Sequence, residues 1–124
     1  MKKYNLTFCQ LEFHDHYVVA VMNEGIVVSK ENNAILVEIA EKHYQDTPFV
    51  YITHRINSYS VDPTVYIRTA QIESLKGFAV VSKHESQKVH VKYERQFFEK
   101  EFCYFETMDE ALKWKDEVIK KHLK

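Results

Sequence analysis

Glycine is almost missing from this chain of 124 residues: Gly25 and Gly77 are the two present, and they stand far apart. A phosphate-cradling P-loop and a dinucleotide-binding fingerprint each need several glycines in one short turn, so both are excluded. Cysteine is equally scarce. Cys9 and Cys103 each sit singly in an apolar segment with no C-x-x-C spacing, which leaves no disulfide framework and points to a reducing cytoplasm. Long apolar runs are absent too, the longest being Tyr17 to Met22, far shorter than a bilayer span. After the opening lysines, Asn5, Thr7, Gln10 and Glu12 interrupt the apolar residues, a pattern unlike a signal peptide. Charge of one sign is lacking as well. With Lys plus Arg at 17 and Asp plus Glu at 18, the net charge is −1, which argues against a dedicated nucleic-acid binder.

What is present is apolar and aromatic: 45% of residues are hydrophobic and 14% aromatic. A chain of this length buries roughly two-thirds of its unfolded surface, enough for a core without staples. Residues 1–124 therefore read as one domain, with no linker, repeat or low-complexity tract. Tyr4, Leu6 and Phe8 alternate with polar residues, and Leu11 and Phe13 do so in the opposite parity, so the first strand is expected to bulge near Cys9 and Gln10. His14-Asp15-His16 then forms a turn into the β-branched strand Tyr17 to Met22, completing an N-terminal hairpin. Ser29 is the expected N-cap of a helix with the stripe Leu36, Ile39, Ala40 and His43 or Tyr44.

Phe49 to Thr53 reads as a buried strand and His54 to Val61 as a loop. Asp62-Pro63 starts a second helix with Tyr66, Ile67 and Ala70 inward, which Lys76-Gly77 is expected to close before the strand Phe78 to Val81. Val89, Tyr93, Phe97 and Phe98 recur at helical spacing within Ser82 to Glu101, with Lys88, Lys92, Glu94 and Arg95 elsewhere on the wheel. Phe102 to Phe105 is a short strand, and Thr107-Met108-Asp109-Glu110 is a capping box opening the last helix. The predicted fold is α/β, with a mixed, mostly parallel sheet of about five strands and about four helices.

Four segments carry a resemblance: Glu24-Gly25 before the first helix, the strand Phe49 to Thr53, Leu75-Lys76-Gly77-Phe78-Ala79-Val80-Val81, and Phe105-x-x-Met108-Asp109-Glu110-Ala111-Leu112-x-Trp114. In this order they resemble the SpoIIAA-like family, a compact bacterial version of the STAS fold of anti-sigma-factor antagonists. That resemblance implies a regulatory, non-enzymatic module with a protein partner. In STAS proteins a phosphorylated serine lies in an Asp-Ser-Ser-Gly turn at the start of the second helix; here the turn reads Asp62-Pro63-Thr64-Val65, so Thr64 takes the phospho-acceptor position. Pro63 and Val65 depart from the family pattern. A likeness in fold to Sec14-type domains implies, as the alternative, a carrier of a lipid or other apolar small molecule.

Read for chemistry, the loop before the second helix stands out. Arg55, Asn57, Ser58, Tyr59, Ser60 and Asp62 place cationic and hydroxyl groups at a helix start, although the Asp62 carboxylate already serves the free N–H groups there and opposes a second anion. These six are the candidate partner-binding residues, beside Thr64 as the candidate phospho-acceptor. Tyr93, Phe97 and Phe98 are the candidate lining of an apolar cavity, a spacing that an ordinary core-facing helix shares. His14 and His16 flank Asp15 but lack a further metal ligand, and nothing local activates either thiol. No metal, cofactor or catalytic residue is therefore assigned.

Overall fold

The computed structural model describes residues 2–84 and 86–123. Its elements run β1 (Lys2–Asn5), β2 (Cys9–Phe13), β3 (Tyr17–Met22), β4 (Val27–Val28), α1 (Lys30–Tyr44), β5 (Phe49–His54), β6 (Ser60–Val61), α2 (Val65–Thr69), β7 (Leu75–Val81), α3 (Ser86–Glu94), β8 (Glu101–Phe105) and α4 (Met108–His122). The main sheet has six strands in the order β1-β2-β3-β5-β7-β8, and β4 pairs with β6 in a separate two-stranded ribbon. The first two pairings are antiparallel and the other three parallel. The mixed, mostly parallel α/β architecture is the expected one, with six main strands where about five were expected.

The additional strand comes from the first apolar stretch. Instead of bulging, the chain reverses between Asn5 and Cys9, where the Leu6 amide donates to the Cys9 carbonyl at 2.8 Å. Asn23 fastens the turn, its backbone N–H donating to Phe8 and its side chain to Thr7. The parity switch thus marks a reversal, one that no glycine or proline announces.

From β3 the sheet grows in one direction, so right-handed crossovers lay α1, α2 and α3 on the same face. The alternation of side chains then separates two cores. Phe49, Tyr51, Phe78 and Val80 meet Leu36, Val37, Ala40 and Tyr44 of α1, Tyr66 of α2 and Val91 of α3. Val50, Ile52, Ala79 and Val81 face α4 through Ala111, Val118 and Ile119. Ser29 caps α1 by accepting from the Asn32 amide at 3.2 Å, and the Thr107–Glu110 capping box opens α4.

Two expected helices are shorter. The second ends at Thr69, and Lys76-Gly77 lies inside β7 rather than at a helix stop. Gly77 is there because a Cβ would stand 2.8 Å from Cη2 of Trp114, which packs from α4. The third spans nine residues, followed by a 3₁₀ turn over Arg95–Phe97. Its buried residues are Val91 and Glu94, while Val89 and Tyr93 are 73% and 55% exposed. The aromatic spacing misplaced the inner face because a buried carboxylate, invisible to a hydrophobic period, holds this helix down.

Candidate functional site

The parallel strands deliver their carboxyl ends to one edge of the sheet, and there the loop from His54 to Thr64 crosses toward α3. Arg55 follows β5 directly. Its backbone amide prolongs the ladder by donating to the Val81 carbonyl at 2.8 Å, and the side chain turns inward. One terminal nitrogen of Arg55 donates to both carboxylate oxygens of Glu94 at 2.8 Å and to the Tyr66 hydroxyl at 3.1 Å. The other reaches Gln87 Oε1 at 3.1 Å, and Nε reaches the Tyr59 hydroxyl at 3.1 Å. Tyr66 also donates to Glu94, and the Tyr59 and Thr53 hydroxyls lie 3.1 Å apart.

Arg55 and Glu94 are each 6% exposed. Two charges so deeply placed are tolerable only when paired and hydrogen-bonded, as here. Burial works against the Arg55 charge, but Tyr66, Tyr59 and Glu94 outweigh it and hold the guanidinium above its ordinary range. Burial, and then the Glu94 carboxylate, push the Tyr66 phenol well above its usual value. The network is a charged clasp joining β5, the loop, α2 and α3.

The rest of the loop is tied down mainly through its backbone. Gly25, at φ +76°, turns the chain so that its N–H donates to the Ser58 carbonyl at 2.7 Å, and Glu24 accepts from the Ser58 amide at 2.6 Å. Asn57 donates to the Met22 carbonyl at 2.9 Å, while the amides of Ser60 and Asp62 donate to Ile26 and Val28. Asp62 Oδ1 then accepts from the Thr64 amide at 3.1 Å and from the Thr64 hydroxyl at 2.7 Å. Those two bonds, side chain first, hold the Asp62 carboxyl below its ordinary range.

The expected site residues are thus neighbours, but they differ in exposure. Ser58 and Ser60 are exposed, Asn57, Tyr59, Asp62 and Thr64 half-buried, and Arg55 fully enclosed, so Arg55 is a structural anchor and not a surface contact. Sequence reasoning passed over Ile56, which is 59% exposed at the loop's crest. It did not assign Glu94, Gln87 or Glu24 to this loop, since their partners lie 39, 32 and 34 positions away.

The candidate cavity lining is dispersed. Phe98 is buried against Phe78 and Phe102, Phe97 is half-buried with its ring edge-on to Tyr93, and Tyr93 stands at the surface. The space between the sheet and α1 and α2 amounts to about 40 Å³, room for a water or two and far below the several hundred Å³ of an organic ligand site. A larger groove, about 290 Å³, lies between the loop and α3.

Elsewhere, His14 Nε2 lies 2.9 Å from Glu12 Oε1 and His16 Nδ1 lies 2.9 Å from the Pro48 carbonyl. Among the described residues no three His, Cys, Asp or Glu side chains gather as metal ligands. Burial pushes the Cys9 thiol up to about 12 and also raises that of Cys103. Among the described residues no helix is long and apolar enough to cross a membrane.

This arrangement of sheet and helices is the SpoIIAA-like fold. A solved structure that shares it is an uncharacterized protein from the DUF3478 family with a SpoIIAA-like fold, from Shewanella loihica: the two superpose with a TM-score of 0.60 over 93% of this chain and 99% of that one, at 18% sequence identity. No family model matches the chain, and no curated protein matches it in sequence.

Proposed function

We propose that this protein is a non-enzymatic regulatory module that engages a protein partner through the loop Ile56 to Thr64 and the first turn of α2. The observation that carries the reading is that the loop is exposed yet already ordered. Ile56, Ser58 and Ser60 face solvent while the β4–β6 ribbon, Glu24, Asn57 and the Arg55–Glu94 clasp fix the backbone beneath them. A surface ordered before contact saves most of the entropy that loop ordering costs on association. Ile67 on α2 and Val27 on β4, both about half exposed, add apolar area on the adjoining elements.

The SpoIIAA-like fold supports this reading. Thr64 is the proposed switch. A phosphate there would break the Thr64–Asp62 hydrogen bond and set two negative groups together at the start of α2. Capture from host lysate with wild type, Thr64→Ala, Thr64→Glu and Ile56→Asp tests it. Wild type and Thr64→Ala should retain the same proteins and the two acidic variants should lose them, while melting curves show each variant still cooperatively folded. Equal capture by all four would end the reading.

A further inference from the structure

The groove between the loop and α3 is a polar site with no net charge at its floor. Arg55 and Glu94 lie at its base, each satisfied by the other, and Tyr59, Val61 and Pro63 form the wall on the loop side. Ser60, His90 and Tyr93 stand exposed at the rim, and Gln87 accepts from Arg55 with its amide oxygen, which leaves its NH₂ as the donor end. The cation Lys88 is not part of the groove lining and is engaged elsewhere, over the Tyr104 ring and 3.7 Å from Glu106.

Each feature narrows the ligand. An anion would face Glu94 and a cation would face Arg55, so a charged group gains nothing at the floor. An apolar molecule would strand the polar groups of the floor and rim. At about 290 Å³ the groove falls at the lower end of small-molecule sites, too small for a lipid chain. An exposed aromatic ring beside hydroxyl, imidazole and amide groups suits a ring that has an apolar C–H face and a periphery of hydroxyls.

We propose that this groove binds a single neutral sugar residue, its C–H face on the Tyr93 ring and its hydroxyls bonded to Ser60, Gln87 and His90. The site goes beyond the partner-binding reading and does not depend on it.

The test is amide NMR of the ¹⁵N-labelled protein titrated with D-glucose, D-galactose, D-mannose and N-acetyl-D-glucosamine, each to about 50 mM, enough to fill any site of millimolar affinity. Glucose 6-phosphate is the charged comparator. At least one neutral sugar should give saturable shifts confined to Ser60, Gln87, His90, Tyr93 and their neighbours. Tyr93→Ala, a change at an exposed position that leaves the fold intact, should weaken that binding by about tenfold, the loss of one ring contact. Ser60→Ala should weaken it as well. No groove shifts from any of the four sugars, undiminished binding in Tyr93→Ala, or tighter binding of the phosphorylated sugar would each overturn the proposal.

Discussion

Arg55 and Glu94 show how far one residue pair can organise a fold. Removing either partner leaves the other charge buried and unpaired, so Glu94→Ala should cost about 3–5 kcal/mol in urea melts. Replacing both with apolar residues, as in Arg55→Met with Glu94→Leu, should cost less than that single change, because no orphan charge remains. A double variant as unstable as Glu94→Ala would show that the pair contributes mainly attraction and not mutual compensation. At the same scale, the Cys9 thiol is fully buried with its ionisation raised to about 12, whereas Cys103 is partly accessible. A thiol reagent near neutral pH should therefore modify Cys103 slowly and Cys9 only on unfolding. Rapid labelling of Cys9 in the native protein would contradict this burial. Asp62 provides a pH signature. Its carboxyl is held below its ordinary 3.8 by the Thr64 hydroxyl and amide, so the stability it lends is present above that value and is lost as pH falls through the lower folded value. Thr64→Ala should bring the carboxyl back toward 3.8 in an NMR titration, and an unmoved midpoint would show that the hydroxyl bond is idle.

Elements whose ends carry their own chemistry were the most legible. Ser29 caps α1 and Thr107–Glu110 boxes the start of α4, both as their side chains dictate. Thr107→Ala should accordingly lower stability by about 1 kcal/mol in denaturant melts, and no change would place the start of that helix elsewhere. Elements decided by distant partners were less legible. Gly77 reads locally as a helix stop, but it sits in β7 to admit the Trp114 ring. Gly77→Ala should then cost about 1–3 kcal/mol through overpacking, a penalty that Trp114→Phe should relieve. If the penalty persists with Trp114→Phe, contact with this ring is not the reason for the glycine. The third helix was misaligned for the same physical cause. Its inner face contains Glu94, and periodicity counts a carboxylate as outward unless its partner, Arg55, is already known to lie opposite.

At the scale of the whole molecule, the α/β class and the mostly parallel pairing after an N-terminal hairpin followed from alternation, capping and the right-handed crossover rule, and the fold shared with the solved SpoIIAA-like structure agrees with that class. The polar character of this loop was legible, because hydroxyl and amide groups gather before a helix start. Its construction was not. The bonds that hold the loop come from Met22, Glu24, Gly25 and Ile26 on one side and from Gln87 and Glu94 on the other, contacts separated by 32 to 39 positions in sequence. For the proposed interface, this exposed loop must be ordered in advance of any partner. Amide hydrogen exchange of the free protein tests it most directly, read at Gly25, Ser60 and Asp62, whose N–H groups donate to Ser58, Ile26 and Val28. These amides should exchange well below the rate of an unstructured chain in the wild type, and Glu94→Ala, under conditions where it stays folded, should release them. Exchange at the unstructured rate in the wild type would contradict it.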